Sequence, residues 1–309
     1  MIRPTTVAVT APAKINLSLG VGPRRPDGFH ALATVYQAIG LYDRVTVTTA
    51  DDLTVAVHAE ARVPVDDVPL DGTNIAVRAA RLLAEHHGIE RGVAITIDKG
   101  IPVAGGMAGG SADAAATLLA CDHLWGLESP KEHLLELAAE LGSDVPFALV
   151  GGTAIGSGRG ETVTPLMTLG EYWWVVLESA QGMSTPAVYR EFDAMNGVDV
   201  DAPELPDELM QALRGHDVAA LGSSLSNDLQ DAALRLRPEL GRALEQGRLE
   251  SAYGAILSGS GPSCLFLCEG RSHAVQVAGG LRAEGLGPVS FAPGPVHGAR
   301  VVVADNGAV

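Results

Sequence analysis

The sequence predicts an α+β protein with two domains, on the evidence of its residue spacing and the order of its elements. Alternating apolar residues predict strands in the first half, and 3.6-residue spacing predicts helices. These strands are 5–20, 32–39, 44–49 and 92–98, and the helices are 73–87 and 129–141. The second half reads as a strand at 172–178, helices, a strand–glycine turn–strand unit at 255–268, a helix at 272–285 and a closing strand at 300–303.

This order of elements in the second half indicates a ferredoxin-like unit. A glycine-rich turn at 151–160 separates the two halves, and the segment 50–72 reads as an acidic surface connection. We therefore predict domains at 1–158 and 159–309.

Composition limits the classes of partner. The 309 residues carry a formal net charge of −16, which argues against a nucleic acid or an anionic membrane. No apolar run is long enough to span a membrane, the first residues do not resemble a signal peptide, and the 3 cysteines form no Cys-x-x-Cys pair. We expect a cytoplasmic protein, a monomer or weak homodimer, that binds a small molecule.

The segment 101–116 is the most informative stretch of the sequence. Gly105, Gly106, Gly109 and Gly110 precede Ser111 and an alanine-rich run that predicts a helix to Ala120. A glycine loop at a helix N-terminus presents free N–H groups to a phosphate. The loop lacks the lysine of a P-loop, and its glycine spacing does not fit the dinucleotide fingerprint. Packing of small residues against a neighbouring helix is the alternative explanation.

Several ionisable residues near such segments have a functional and a structural explanation. Lys14 shares a strand face with Asn16 and Ser18, and it is either functional or an edge-strand lysine. Lys99 directly precedes the glycine loop, so it is either placed beside the ligand of that loop or is an ordinary lysine of a turn. Asp144 is either a helix cap or a partly buried functional acid, and His30 is either functional or a solvated or capping histidine. Ser129 and Glu132 predict a capping box for the helix at 129–141.

Three segments resemble the motifs of the GHMP kinases, in order and across nearly the whole chain. They are 11–20, 102–115 and 257–263. The resemblance implies an N-terminal nucleotide domain like that of ribosomal protein S5 and a ferredoxin-like C-terminal domain. Ala104, Ala108 and Ala112 depart from the family loop, where glycine or serine is usual. The loss of a hydroxyl at Ala112 leaves the metal ligands open, with Ser111 as a candidate.

Further motifs resemble one group of GHMP kinases, those that act on a cytidine-diphosphate-linked methylerythritol. These motifs are Ala-Pro-Ala-Lys-Ile-Asn-Leu at 11–17, Arg-Pro-Asp-Gly-Phe-His at 25–30 and Gly-Ser-Asp-Val-Pro-Phe at 142–147. The resemblance implies transfer of the ATP γ-phosphoryl group, with Mg²⁺, to the substrate's 2-hydroxyl group in the non-mevalonate isoprenoid pathway.

The resemblance also implies roles for individual residues. Lys14 and Asp144 match the catalytic pair. Asn16, Phe29, His30 and Tyr189 match substrate contacts, with His30 at the cytosine edge and the two aromatic rings around the base. The residues matched to ATP binding are Lys99, Pro102, Val103, Ala104, Gly105, Gly106, Met107, Ala108, Gly109, Gly110, Ser111 and Ala112.

Two other functions are compatible with these motifs. A GHMP kinase for a sugar, homoserine or mevalonate would phosphorylate a substrate without cytidine. A nucleotide-binding sensor or scaffold would keep the fold without turnover, although the presence of both Lys14 and Asp144 argues against it.

Overall fold

The computed structural model describes residues 4–59, 63, 65–179, 181–197 and 200–305, which form two β-sheets with covering helices. The strands are β1 (Thr6–Arg24), β2 (His30–Ala50), β3 (Thr54–Ala59), β4 (Gly92–Lys99), β5 (Thr153–Ser157), β6 (Thr162–Leu166), β7 (Tyr172–Leu177), β8 (Ser226–Asn227), β9 (Gly254–Leu257), β10 (Cys264–Cys268), β11 (Val289–Gly294) and β12 (Arg300–Asp305). The helices are α1 (Ile75–His87), α2 (Gly109–Trp125), α3 (Lys131–Leu141), α4 (Val145–Val150), α5 (Thr185–Asn196), α6 (Asp207–Gly215), α7 (Val218–Ser224), α8 (Gln230–Leu236), α9 (Glu239–Leu249) and α10 (Arg271–Ala283).

The first sheet is built around β1, which lies between β12 and β2 in the order β12-β1-β2-β4-β3. The β5–β6 hairpin pairs with β2, and the short β8 pairs with β1. Successive residues from Ala11 to Leu19 are buried, so both faces of β1 are covered. Lys14 therefore lies on an interior strand, and the edge-strand explanation for this lysine is wrong.

The second sheet has four antiparallel strands in the order β11-β7-β10-β9. Helices α5 to α9 connect β7 to β9, and α10 connects β10 to β11. Counted within this unit, the spatial order is fourth, first, third, second strand, which is the ferredoxin-like arrangement. The predicted α+β class and the ferredoxin-like second unit are thus confirmed.

Helix α2 occupies the centre of the first unit. Its alanine-rich sequence is buried on nearly every side, against α1, α4, β1 and β2. A helix that is apolar all round belongs in a core, and small side chains let neighbouring backbones approach closely. This packing fixes the position of the helix N-terminus, where the glycine loop ends.

The structure corrects several predicted elements. One long strand, β2, replaces the two strands predicted at 32–39 and 44–49. The segment 50–72, predicted as a surface connection, contains β3, an edge strand that has no fully buried residue and hence a weak apolar signal. The sequence pattern does not indicate β11, because this edge strand contains Pro293 and Gly294, which an edge strand tolerates. Helix α2 begins at Gly109, two residues before the predicted start at Ser111.

The capping box predicted at Ser129 and Glu132 is also wrong. Pro130 occupies the N-cap position of α3, and its carbonyl accepts from the N–H groups of His133 and Leu134. The Ser129 N–H instead donates to the Asp122 carboxylate of α2 over 3.1 Å. The chain therefore turns into the helix one residue later than the pattern indicates.

Sheet pairing bears on the predicted division at 158/159, which falls in the turn of the β5–β6 hairpin. Both strands of that hairpin belong to the first sheet, and the second sheet begins with β7. The strand predicted to close the second half, β12, returns to the first sheet beside β1. The pairing thus favours a division after β6 and a first unit completed by the C-terminal strand.

Candidate active site

The glycine loop lies between β4 and α2 and faces the second unit. Gly106 has a φ of +76°, and a Cβ at this position would lie 2.2 Å from the Ser258 carbonyl oxygen. The Ser258 hydroxyl donates to the Gly106 carbonyl over 3.0 Å. The motifs at 102–115 and 257–263 thus meet here, because only a residue without a side chain fits between the two backbones.

Two non-glycine residues of the loop adopt left-handed backbone conformations. Ala104 has a φ of 53° and Ala108 a φ of 58°, and Ala108 is the N-cap residue of α2. Among the described residues, no side chain caps this helix. Its first N–H groups can therefore donate to a ligand, at the positive end of the helix dipole.

A cavity of about 710 Å³ opens beside this helix end. Gly105, Gly106, Gly109 and Gly110 line one part of it, and residues of β1, β2, α5 and the turn at 258–261 line much of the remainder. The volume falls within the roughly 300–1,000 Å³ typical of small-molecule sites. The cavity therefore lies between the two units, with the glycine loop in its wall.

Lys14 and Asp144 meet in the wall of this cavity. The Lys14 Nζ lies 3.3 Å from Asp144 Oδ2, and the exposed fractions of the two side chains are 8% and 30%. Lys14 Nζ also donates to Asn16 Oδ1 over 3.0 Å, and Asn16 Nδ2 donates to the Thr34 hydroxyl over 2.8 Å. Asn16 thus holds the lysine in place, while the Asp144 carboxylate stays accessible to a ligand.

Tyr36 is a member of this wall that sequence reasoning missed. Burial, followed by the nearby Asp144 carboxylate, raises the pKa of Tyr36 well above its ordinary value of 10.0. Lys14 Nζ lies 5.4 Å from the centre of the tyrosine ring. In the sequence Tyr36 is one apolar residue of a strand, so no local signal identifies it.

The opposite part of the cavity is aromatic. His30 stacks on Tyr189 with ring centres 5.2 Å apart, and Phe192 approaches the histidine edge-on at 6.1 Å. Phe29 is 49% exposed, and its ring centre lies 5.1 Å from the Arg159 guanidinium. The structure thus brings Phe29, His30 and Tyr189 to one cavity, together with Arg159, which carried no sequence signal.

Lys99 lies beneath the loop, outside the cavity lining. Its Nζ donates to Asp43 Oδ2 and, over 2.7 Å, to Asp113 Oδ2, and all three side chains are buried. Asp43 Oδ1 accepts from the N–H groups of Gly100 and Ile101 over 2.7 and 2.9 Å. This buried triad ties β2, the start of the loop and α2 together.

Burial and neighbouring charges shift the pKa values of Asp113 and Lys99 in this triad. Burial and the adjacent Asp43 carboxylate raise the pKa of Asp113 well above its ordinary value of 3.8, although Lys99 opposes this shift. The two carboxylates raise the pKa of Lys99 above 10.5 despite burial, so the lysine stays charged. One lysine faces two carboxylates, which is an arrangement for holding structure rather than for meeting a ligand.

Only some of the remaining residues matched to ATP binding reach the cavity. Pro102, Ala104 and Ala108 line the cavity with the glycines, whereas Met107 and Ala112 are fully buried in the core. The Met107 carbonyl accepts from the Lys14 N–H over 3.1 Å, so the loop and β1 are joined beside the lysine. Val103 and Ser111 are half-buried and lie outside the lining residues.

Family models match both units of the chain. The GHMP kinases N terminal domain matches residues 74–152, and the GHMP kinases C terminal domain matches residues 209–286. The chain belongs to the GHMP kinases, and it is accordingly an ATP-dependent small-molecule kinase, as its sequence motifs indicate.

Relatives within this family carry a more specific name. The chain is 56% identical over 94% of its length to 4-diphosphocytidyl-2-C-methyl-D-erythritol kinase of Nocardioides sp. (strain ATCC BAA-499 / JS614), of which 98% is covered. It is 52% identical over 98% of its length to the kinase of the same name from Thermobifida fusca (strain YX), of which 100% is covered.

Solved structures agree with these relatives. A crystal structure of 4-(cytidine 5'-diphospho)-2C-methyl-D-erythritol kinase matches with a TM-score of 0.76 and 35% identity, covering 94% of this chain and 99% of that one. Homoserine kinase from Cytophaga hutchinsonii matches with a TM-score of 0.75 and 18% identity, covering 96% and 98%, which shows the shared fold alone.

Within the part of the chain that the structure describes, no helix is both long enough and apolar enough to cross a membrane.

Proposed function

We propose that this kinase transfers the γ-phosphoryl group of ATP to the 2-hydroxyl group of 4-diphosphocytidyl-2-C-methyl-D-erythritol. One observation carries the proposal: a single cavity holds the Lys14–Asp144 pair between a glycine loop and an aromatic pocket. The names of the relatives supply the acceptor, since two of them, at 56% and 52% identity, are kinases of this compound.

The loop and the N-terminus of α2 would hold the phosphates of ATP. Their backbone N–H groups suit an anion, and this matters in a chain with a net charge of −16, where local donors must overcome the overall field. Lys99 supports the loop from beneath through Asp43 and Asp113, so its effect on the nucleotide is indirect. Positioning and charge stabilisation are what phosphoryl transfer mainly needs.

Asp144 would accept the proton of the attacking hydroxyl group. In this step a bond forms between the acceptor oxygen and the γ-phosphorus, and the bond from that phosphorus to the β–γ bridging oxygen breaks. Lys14, 3.3 Å from that carboxylate, would stabilise charge on the transferred group, and Asn16 holds the lysine in place.

Mg²⁺ fits this site as a partner of the ATP phosphates, whose charge it neutralises when bound. This cation takes oxygen ligands and is usually held by one or two carboxylates together with substrate phosphates. Asp144 supplies a partly exposed carboxylate in the cavity wall. Among the described residues there is no cluster of three or more His, Cys, Asp or Glu side chains suited to a metal ion.

The cytidine moiety would occupy the aromatic part of the cavity. Phe29 and Tyr189 offer stacking surfaces, and His30 offers a polar edge between them. A substrate that spans this pocket and the Lys14–Asp144 pair would place its methylerythritol hydroxyl groups near the loop. The expectation of a cytoplasmic protein, monomeric or weakly dimeric, stays a prediction.

The proposal is tested by coupled ADP release with Mg²⁺-ATP and 4-diphosphocytidyl-2-C-methyl-D-erythritol. Galactose, homoserine and mevalonate serve as alternative acceptors in parallel reactions. We expect ADP release with the cytidine-linked acceptor alone. Turnover of another acceptor in its place would support kinase activity but contradict the proposed acceptor.

A further inference from the structure

Ser263 is a buried residue behind the glycine loop, and its hydroxyl group is unpaired. The residue is 1% exposed, and among the described residues its Oγ has no hydrogen-bond partner. A buried hydroxyl group without a partner is costly, and such groups are uncommon in folded proteins. The surroundings of Ser263 indicate which group can pair with it.

The hydroxyl group of Ser263 packs against Gly105 of the loop. A Cβ at Gly105 would lie 2.8 Å from Ser263 Oγ, which is closer than a real Cβ contact allows. The loop backbone and this hydroxyl group can therefore touch only because residue 105 has no side chain. Gly105 lines the cavity and Ser263 does not, so the hydroxyl group lies behind the loop, on the side away from a bound ligand.

A second serine of the segment 258–263 shows how a hydroxyl group can hold this loop. The Ser258 hydroxyl donates to the Gly106 carbonyl over 3.0 Å. Ser258 lies opposite Ser263 at the base of the turn, because the Ser258 N–H donates to the Ser263 carbonyl over 3.0 Å. Two hydroxyl groups thus lie behind successive glycines of the loop. Of these two, Ser258 has an acceptor among the described residues and Ser263 has none.

The geometry of a peptide unit links this side of the loop to the cavity. The N–H and C=O groups of one trans peptide point in opposite directions. When the peptide between Gly105 and Gly106 directs its N–H at a phosphate in the cavity, its carbonyl is directed behind the loop, where Ser263 lies. Gly106 has a φ of +76°, and glycine allows such an orientation at little steric cost. Successive N–H groups in such a turn form a concave site for anions.

We propose that Ser263 is a positioning residue for ATP, whose hydroxyl group donates to the Gly105 carbonyl and so holds the Gly106 N–H toward the phosphates. This inference rests on the proposed function, because it assumes that the loop holds the phosphates of ATP. It goes beyond that function in giving a role in nucleotide binding to a side chain outside the cavity. The bond forms when ATP is bound, so it contributes to affinity and not to the stability of the free protein.

The test measures two quantities in Ser263→Ala. The first is the dissociation constant of the non-hydrolysable β,γ-imido analogue of ATP with Mg²⁺, measured by calorimetry. We expect it to rise about 3- to 10-fold, which is the effect of one hydrogen bond. The second is the melting temperature of the free protein, which should not fall, because the substitution removes an unpaired buried hydroxyl group. In turnover, KM for ATP should rise while kcat at saturating ATP stays near that of wild type.

Two other serines provide matched controls. Ser290 of β11 also has a buried Oγ without a partner among the described residues, and it lies outside the cavity lining. Ser290→Ala should therefore resemble Ser263→Ala in stability but leave the affinity for the ATP analogue unchanged. Ser258→Ala removes a hydrogen bond that the loop already makes, so it should lower the melting temperature of the free protein.

The outcomes separate this inference from the proposed function. Affinity for the ATP analogue is measured without an acceptor, so turnover of an acceptor other than the cytidine-linked one would overturn the function and leave this test intact. A wild-type dissociation constant in Ser263→Ala would overturn the role of Ser263 while the function stands. A raised dissociation constant with an undiminished melting temperature, not seen in Ser290→Ala, would support the role. Failure of the wild-type protein to bind the analogue would overturn both.

Discussion

Lys14 and Lys99 resemble each other in the sequence, but the structure gives them different surroundings. Each stands alone in a sequence with few lysines, and each forms an ion pair with aspartate: Lys14 with one, Lys99 with two. Lys14 meets Asp144 in the cavity wall, where the carboxylate is 30% exposed. Lys99 meets Asp43 and Asp113 beneath the glycine loop, where all three side chains are buried.

This difference predicts a catalytic role for Lys14 and a structural role for Lys99. A carboxylate that a ligand can reach can accept a proton from it, whereas a carboxylate buried against a lysine has its oxygen atoms occupied within the protein. Removal of one partner from a buried pair leaves an uncompensated charge, which costs far more stability than the loss of a partly exposed pair. We therefore expect variants at Lys14 to lose activity and variants at Lys99 to lose stability.

Lys99→Met should give the largest effect on stability. It leaves Asp43 and Asp113 buried together without a cation, so the free energy of unfolding should fall by about 3–5 kcal/mol. Lys14→Met is the matched variant, with an expected loss of about 1 kcal/mol. Urea unfolding followed by circular dichroism measures both. A Lys99→Met protein that unfolds like wild type but fails to bind ATP would contradict the comparison and make Lys99 a direct ligand.

Asp113→Asn should show how the triad responds to pH. Because the pKa of Asp113 is raised in the folded protein, the folded state binds more protons than the unfolded state as the pH rises from 3.8. The contribution of Asp113 to stability is therefore complete below that pH and is lost as the pH rises through the raised pKa. Wild type should lose stability relative to Asp113→Asn over this window, by about 1.4 kcal/mol for each unit of the shift.

Urea unfolding of both proteins at several pH values measures this difference. Asp122→Asn, on the same helix, is the control for general effects of removing a carboxylate from α2. A constant stability difference between wild type and Asp113→Asn across the range would show that the folded state does not hold the extra proton.

Ala108→Gly should give the smallest effect, and in the stabilising direction. Ala108 adopts a left-handed conformation that costs an L-residue about 1–2 kcal/mol. Glycine relieves this strain but loses up to about 1 kcal/mol through the greater entropy of the unfolded chain, so a net gain of about 0–1 kcal/mol is expected. Ala112→Gly, inside the buried helix, should instead lose about 1 kcal/mol. Equal losses in the two variants would argue against strain at Ala108.

Local chemistry explains what the sequence could predict. The glycine loop and the helix after it are encoded within one short segment, so spacing alone indicated an anion site there. The pairing of Lys14 with Asp144 joins residues far apart in the chain, and it was expected through the family resemblance rather than from any local pattern. Its catalytic role stays a prediction.

Other features depend on tertiary contacts that leave no local signal. Tyr36 is one apolar residue of a long strand, and Arg159 is an ordinary charged residue of a turn. The position of Lys99 beneath the loop depends on Asp43 in β2, whose carboxylate reaches the start of the loop only after β2 pairs with β4. The fold must therefore form before these roles can be recognised.

Single-turnover phosphoryl transfer by Asp144→Asn tests the central claim most directly. The amide keeps the shape of the side chain but cannot accept the proton, so at saturating ATP and cytidine-linked acceptor the rate should fall about 10²- to 10⁴-fold. The dissociation constant of ATP and the melting temperature should stay close to those of wild type, because the carboxylate is partly exposed and the glycine loop is intact. A rate near that of wild type would contradict the account, since Asp144 would then neither accept the proton nor orient the reacting groups.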